Sequence, residues 1–329
     1  RMVSAFLLLA IIPLFSALDP KKWIADGIDK VGPKSLQNIT LPGTQNSGTY
    51  DLTEVQVPGQ ALELWPAIDV VIKPFHLNKE KEMIKWSRDQ AIEIKDQLEK
   101  GIRYFDFKLA FNSTMNNWFV YNNMYGTAVQ PMLQTIADYL KSYDKEIVVV
   151  ELSHFTGSYT KLNLTNLQST VKSTLGAYMY PVNTSFNFTV NDMIKAGKRA
   201  VVTMELEYDG VSIWPGSAIK TTNPNVDKES LLINETTPIV EEYNSKLWPG
   251  VLYKMSWVLE PTADTILHTL LPWESHTVED LSDHCNKHLP KFWEKYEKTP
   301  YWRMGNILVI DFNEKSDIFD VVMKMNGIS

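Results

Sequence analysis

The sequence predicts an α/β fold with parallel strands, closed into a single (β/α)8 barrel of the TIM type. Three observations carry this. Apolar runs of strand length alternate with amphipathic segments of helix length across the chain. The strand-like runs come to about eight, the number that closes such a barrel. No Gly-x-Gly-x-x-Gly follows the first run, which argues against a dinucleotide-binding sheet. An open doubly wound sheet alternates in the same way, so the order of elements alone leaves closure open.

The elements follow in order. A β-prone run at 36–41 leads into Leu41-Pro42-Gly43-Thr44-Gln45-Asn46-Ser47-Gly48-Thr49-Tyr50. Gly43 and Gly48 let the backbone turn tightly. Thr44, Gln45, Asn46 and Ser47 crowd polar side chains onto the turn, where a barrel enzyme places chemistry. Residues 51–79 hold several prolines and read as an irregular excursion over the barrel mouth. Residues 83–100 read as one helix, with Ile84, Ala91, Ile92, Ile94 and Leu98 near helical spacing and Gly101 ending it. Residues 101–108 form the next strand, and Asp106 and Lys108, two apart, point to one face. A third strand at 118–121 precedes the turn-like Asn122-Asn123-Met124-Tyr125-Gly126.

Residues 130–143 are helical, and the continuous apolar run from 147 suits a parallel strand buried on both faces. Glu151 and His154 stand near its end. His154 also reads as a structural histidine. In the second half, 164–178 is helical, and Thr189-Val190-Asn191-Asp192 resembles a capping box opening a short helix to Ala196. Strands follow at 199–204 and 211–215, then a polar loop at 220–227 and a helix at 228–246. A strand at 253–259 ends at Glu260-Pro261. A helix at 277–296, kinked at Pro290, precedes the last strand at 306–312 and a last helix at 316–326.

The chain of 329 residues is 44% hydrophobic and 22% charged, enough for a substantial core. Its net charge of −7 argues against nucleic acid as a partner and supplies no polybasic patch for anionic lipid. The single cysteine, Cys285, excludes an intrachain disulfide. Residues 1–17 are expected to be a signal peptide, since 2–17 is apolar, short for a membrane span and closed by Ser16 and Ala17. Residues 18–329 are then one domain. Six glycosylation sequons, at Asn38, Asn112, Asn163, Asn183, Asn187 and Asn234, support a secreted glycoprotein.

The first motif resembles the opening signature of the phosphatidylinositol-specific phospholipase C X-domain family, Leu-Pro-Gly-Thr-His-Asp/Asn-Ser-Gly-Thr. Gln45 stands where that family has a catalytic His. Trp86 and Gln90 are similar to the family's Trp-x-x-x-Gln, and residues 101–108 resemble Gly-Ile/Val-Arg-Tyr-Phe/Leu-Asp-Leu/Ile-Arg, with Lys108 for the phosphate-binding Arg. Lysine keeps the charge and loses the planar fork. Residues 122–126 resemble His-Gly-Leu-Tyr-Gly, with Asn122 for the second catalytic His. The resemblance covers residues 39–326 and implies a phospholipase-C-like phosphodiesterase fold. It implies that Gln45, Asn122 and Asp311 hold degenerate or supporting catalytic positions, and that Asn46, Asp106, Lys108 and Tyr125 are substrate-binding.

Amides do not titrate near neutral pH, so Gln45 and Asn122 cannot carry the protons of the family reaction. Each lost proton transfer is worth roughly 10²–10⁴-fold in rate. The expectation is therefore a phosphoric diester hydrolase relative that is inactive or very weak. It binds a phosphoinositide or inositol-phosphate-like headgroup, with peripheral membrane contact, or binds a protein partner that the sequence does not identify. No cofactor is expected, and no metal, because Lys108 would repel a cation near Asn46, Asp106 and Glu151. Two alternatives stand: an active phosphodiesterase using His154 or His76 as base, and a scaffold whose pocket is vestigial.

Overall fold

The computed structural model describes residues 18–60, 64–268, 277–299 and 303–328. The expected signal peptide lies outside the described residues. Ten strands form one sheet: β1 (Leu41–Thr44), β2 (Tyr104–Asn112), β3 (Asn117–Asn122), β4 (Met124–Ala128), β5 (Val148–Gly157), β6 (Ala200–Met204), β7 (Ile213–Pro215), β8 (Ile219–Thr222), β9 (Leu252–Ser256) and β10 (Ile307–Ile310). Their path is β7-β6-β5-β2-β1-β10-β9-β8, and every neighbouring pair along it is parallel. These eight parallel strands with their helices are the predicted TIM-type α/β architecture. Hydrogen-bonded closure differs from the ideal: among the described residues β7 and β8 do not pair with each other. Only the 3-10 turn Gly216–Ala218 joins them, too short for a crossover helix.

Burial explains the strand readings. Val148, Val149, Val150 and Leu152 of β5 are fully buried, as a strand covered on both faces requires. Gly43 in β1 is a packing glycine: a Cβ there would lie 2.6 Å from the Tyr104 ring and 2.8 Å from Val309. β2 and β5 continue past the barrel wall, and β3 pairs antiparallel with the extension of β2. The β3–β4 hairpin so formed overhangs the mouth.

Several elements depart from the sequence reading. Residues 36–38 form a 3-10 turn and β1 starts only at Leu41. The excursion after β1 contains a helix, Leu64–Ile72. The single helix expected at 83–100 is two, Lys79–Lys85 and Ile94–Glu99. The chain leaves the helix between them because Asp89 and Gln90 are buried against loop ends. Residues 122–126 are the turn and second arm of a hairpin. The polar residues at 219–222 form β8, a half-exposed edge strand with no apolar signature. Pro290 sits in the first turn of a separate helix, Leu289–Glu294, where its missing N–H is harmless. The Thr189 capping box forms as read.

The barrel floor is held by one buried ion pair. Arg103, at the entrance to β2, is fully buried and meets Glu146 at 2.7 Å. Its remaining N–H groups donate to the carbonyls of Leu98, Ile102, Pro20 and Lys21. Glu146 in turn accepts from the Ala25 backbone at 2.9 Å. Glu146→Ala is expected to cost about 3–5 kcal/mol, because it leaves the guanidinium buried without its counter-charge. Urea denaturation measures this, and a loss under about 1 kcal/mol would show that the pair does not hold the floor.

Candidate functional site

The site lies at the carboxyl ends of β1, β2, β3, β9 and β10. Gln45 follows β1, Asp311 follows β10 and Glu260 stands four residues past β9. Gln90 fixes the first two at one end, its amide donating to the Gln45 carbonyl at 3.0 Å and the Ile310 carbonyl at 3.1 Å. Asn46 takes a left-handed conformation, φ 44°, which asparagine tolerates better than most residues. That turn brings its backbone N–H within 3.4 Å of the Asp106 carboxylate.

Three side-chain amides and two carboxylates form the centre. The Gln45 Nε2 donates to Glu260 Oε1 at 2.7 Å. The Asn122 Nδ2 donates to Asp89 Oδ2 at 2.9 Å and to the Ser87 carbonyl at 3.0 Å. Asn46 Nδ2 donates to the same Asp89 oxygen at 2.6 Å. Asp89 is thus shared between β1 and the hairpin, and its own N–H donates to the Thr49 hydroxyl. The Lys108 side chain, half-buried on β2, makes no hydrogen bond or ion pair among the described residues. Deeper in the barrel, Lys254 pairs with Glu151 at 2.7 Å and donates to the Tyr104 hydroxyl, which itself donates to Glu151. Burial lowers the pKa of Lys254, and the Asp106 and Glu151 carboxylates outweigh this to hold it above its ordinary value.

The electrostatics follow from crowded, dry carboxyls. Burial pushes Asp89 up to about 7, and Glu260 adds to this; the Asn46 bond, the Lys108 charge and the Asn122 bond oppose it. Burial likewise holds Asp311 well above the usual carboxylate range, with Asp89 and Glu260 reinforcing it and Lys108 opposing. Asp311 Oδ1 and Asn46 Oδ1 are buried without a hydrogen-bond partner. The mouth therefore offers unused acceptors and one cation with no direct counter-ion. Among the described residues no group of three or more His, Cys, Asp or Glu is placed to hold a metal.

The structure gathers Gln45, Asn46, Asp106, Lys108, Asn122 and Asp311 around this mouth, directly or through Asp89 and Glu260. Tyr125 lies apart. Its ring packs with Val57, Ala110, Tyr121 and Phe119 on the hairpin, and its hydroxyl approaches the Phe111 carbonyl at 3.5 Å. His76 is exposed on the turn after the helix Leu64–Ile72. His154 is exposed at the rim, its Nδ1 2.8 Å from the Ser153 hydroxyl, which stands 3.5 Å from Asp106. Sequence reasoning passed over Asp89 and Glu260. The signal for the first was its place beside Gln90, and for the second a charged residue before proline at a strand end.

The comparisons with known proteins bear on the family and the fold. Residues 83–213 match the family model for the PI-PLC X domain. PI-PLC X domain-containing protein 3 of Mus musculus is 23% identical over 316 residues, covering 93% of each chain. PI-PLC X domain-containing protein 1 of Homo sapiens is 26% identical over 224 residues, covering 63% of each. The solved phosphatidylinositol-specific phospholipase C of Listeria monocytogenes superimposes with a TM-score of 0.64 at 15% identity, over 93% of this chain and 98% of that one. At that identity the likeness is one of fold.

The raised Asp89 carboxyl has a consequence for stability. Between its ordinary value of 3.8 and about 7 the folded chain keeps a proton that the unfolded chain has released. Stability from this group is therefore full below pH 3.8 and falls as pH rises through about 7. Asp89→Asn removes the titration and keeps an oxygen for the two amides. Melting scans should show variant and parent alike at pH 4, and the variant more stable at pH 8. A variant less stable by the same margin at every pH would refute the assignment.

Proposed function

We propose, for a chain that belongs to the PI-PLC X domain family, a secreted phospholipase-C-like protein that binds a phosphorylated polyol headgroup and does not hydrolyse it. One observation carries this reading: Gln45 and Asn122, which the resemblance sets at the proton-carrier positions, spend their amide N–H groups on Glu260 and Asp89. Neither side chain can take a proton from a hydroxyl or return one to a leaving group. What remains suits binding. Lys108 offers one unpaired cation for one phosphate, and Asp311 Oδ1 and Asn46 Oδ1 offer acceptors for ring hydroxyls. With one cation among several carboxyls, a polyphosphate would be repelled. The exposed side chains of Asn38, Asn183, Asn187 and Asn234 support passage through a secretory pathway.

Calorimetry with myo-inositol 1-phosphate tests the binding. Lys108→Met should weaken it about 10–100-fold, the worth of one charge-assisted bond, and inositol hexakisphosphate should bind no better than inorganic phosphate. Equal binding by parent and variant would sink the assignment.

Catalysis is tested separately with a fluorogenic inositol phosphodiester. The parent should not exceed a mock preparation. Gln45→His or Asn122→His alone should gain little, because acid and base act together. The double variant should turn over substrate with a bell-shaped pH profile. Parent turnover abolished by mutating His154 would favour an active enzyme with a replacement base.

A further inference from the structure

The fold places five of the six sequons at its two ends, and the sixth, Asn234, is exposed on the helix Glu229–Ser245. Asn38 closes the 3-10 turn Leu36–Asn38 ahead of β1, and Asn187 precedes the helix Val190–Ala196 that leads into β6. Ser35 and Thr189 form a backbone bridge, so these two segments lie side by side where the strands begin. Asn38 and Asn187 line one groove of about 470 Å³. Asn183 lies in the same loop as Asn187, whose Thr184 carbonyl approaches Gly250. All three asparagines are exposed. Asn112 and Asn163 stand at the other end, both half-buried beside a cavity or hairpin near Trp118, with their side-chain oxygens already accepting bonds.

A second cavity, about 390 Å³, opens at Asn38. Trp248 and Tyr243 supply its aromatic surface, and Gln37, Asn244 and Arg303 supply polar groups. Gln37 Nε2 ties the Asn38 turn to the Trp248 carbonyl. The Trp248 indole N–H donates to the Tyr243 carbonyl, and the ring lies under the ammonium groups of Lys220 and Lys246 at 4.3 and 4.5 Å. Leu247 beside it is 91% exposed, the most exposed large apolar side chain among the described residues. A polar rim around an aromatic face suits a sugar ring, which has hydroxyls on its edge and C–H groups on its face.

We propose that Asn38, Asn183 and Asn187 carry N-linked glycans, and that the first N-acetylglucosamine on Asn38 seats in the cavity against Trp248. Carbohydrate then covers the end of the barrel where strands begin and leaves the carboxylate mouth bare. This rests on the secreted reading above. The chemistry is a transfer from a pyrophosphoryl-lipid-linked oligosaccharide. The Asn38 Nδ2–C1 bond forms, the bond from C1 to the pyrophosphate oxygen breaks, and one amide proton leaves with the pyrophosphate. The N–H that remains on Nδ2 can keep its 3.0 Å bond to the Ser35 hydroxyl.

The test uses the full chain expressed in a eukaryotic secretory host. Glycopeptide mass spectrometry should find Asn38, Asn183 and Asn187 occupied, and Asn112 and Asn163 about tenfold less so. Seating is read by trypsin cleavage after Lys246, an exposed residue in extended conformation next to Leu247. An endoglycosidase that leaves the first sugar should leave the cleavage rate unchanged. A peptide-N-glycosidase that removes it should raise the rate about tenfold, as local opening becomes easier. Secreted protein glycosylated elsewhere with Asn38 bare would overturn the inference and leave the secreted reading standing. Occupied Asn38 with no effect of the first sugar on cleavage would overturn the seating. Unglycosylated protein retained in the cell would overturn the secreted reading and this one with it.

Discussion

Two buried glutamines hold the barrel mouth. Gln90 ties the ends of β1 and β10 through a single amide, and Gln97 donates to the Ser47 and Ile92 carbonyls while accepting from the Thr44 hydroxyl. Both are fully buried, so each bond replaces one to water that folding removed. This clamp fixes where Gln45 points, and it pulls the chain out of helix between Trp86 and Glu93. The broken helix then delivers Asp89 to the site. A continuous helix over this stretch would have no means to place that carboxyl between Asn46 and Asn122.

The site follows from that placement. An amide in a dry pocket needs an acceptor as much as an imidazole needs an orienting carboxylate. Asp89 serves Asn122 and Asn46 together, and Glu260 serves Gln45. The same carboxyls crowd one another, and their mutual repulsion is one reason that protons stay on Asp89 and Asp311. Lys108 moderates the crowd without pairing to any member. The mouth is thus mechanically set and electrostatically soft.

Much of this was legible in the sequence. Strand-helix alternation gave the parallel sheet, because apolar runs such as 147–152 have few other ways to be satisfied. The positions of Gln45 and Asp311 just past strand ends, and of Asp106 and Lys108 two apart on one strand, could be read off the sequence. Three things could not. The half-polar β8 carries no apolar period, since as an edge strand it faces solvent on one side. The break at 86–93 hides inside a pattern that is helical by residue type, and only tertiary hydrogen bonds overrule it. Tyr125 fits the motif by position, but its pairing in the hairpin turns the ring toward Val57 and Tyr121. Position along a motif fixes the backbone better than it fixes the direction of a side chain.

A mouth of this kind is costly to keep. Asp311 Oδ1 and Asn46 Oδ1 are buried with no partner, each forfeiting about 1–3 kcal/mol of hydration. Near neutral pH the carboxyls add repulsion that the unfolded chain does not have. Apolar replacements at these positions would relieve both costs and leave the clamp of Gln90 and Gln97 untouched. On the proposed reading, a ligand with ring hydroxyls and one phosphate would return the missing hydrogen bonds on binding. Those two oxygens are then the acceptors that a bound polyol would satisfy.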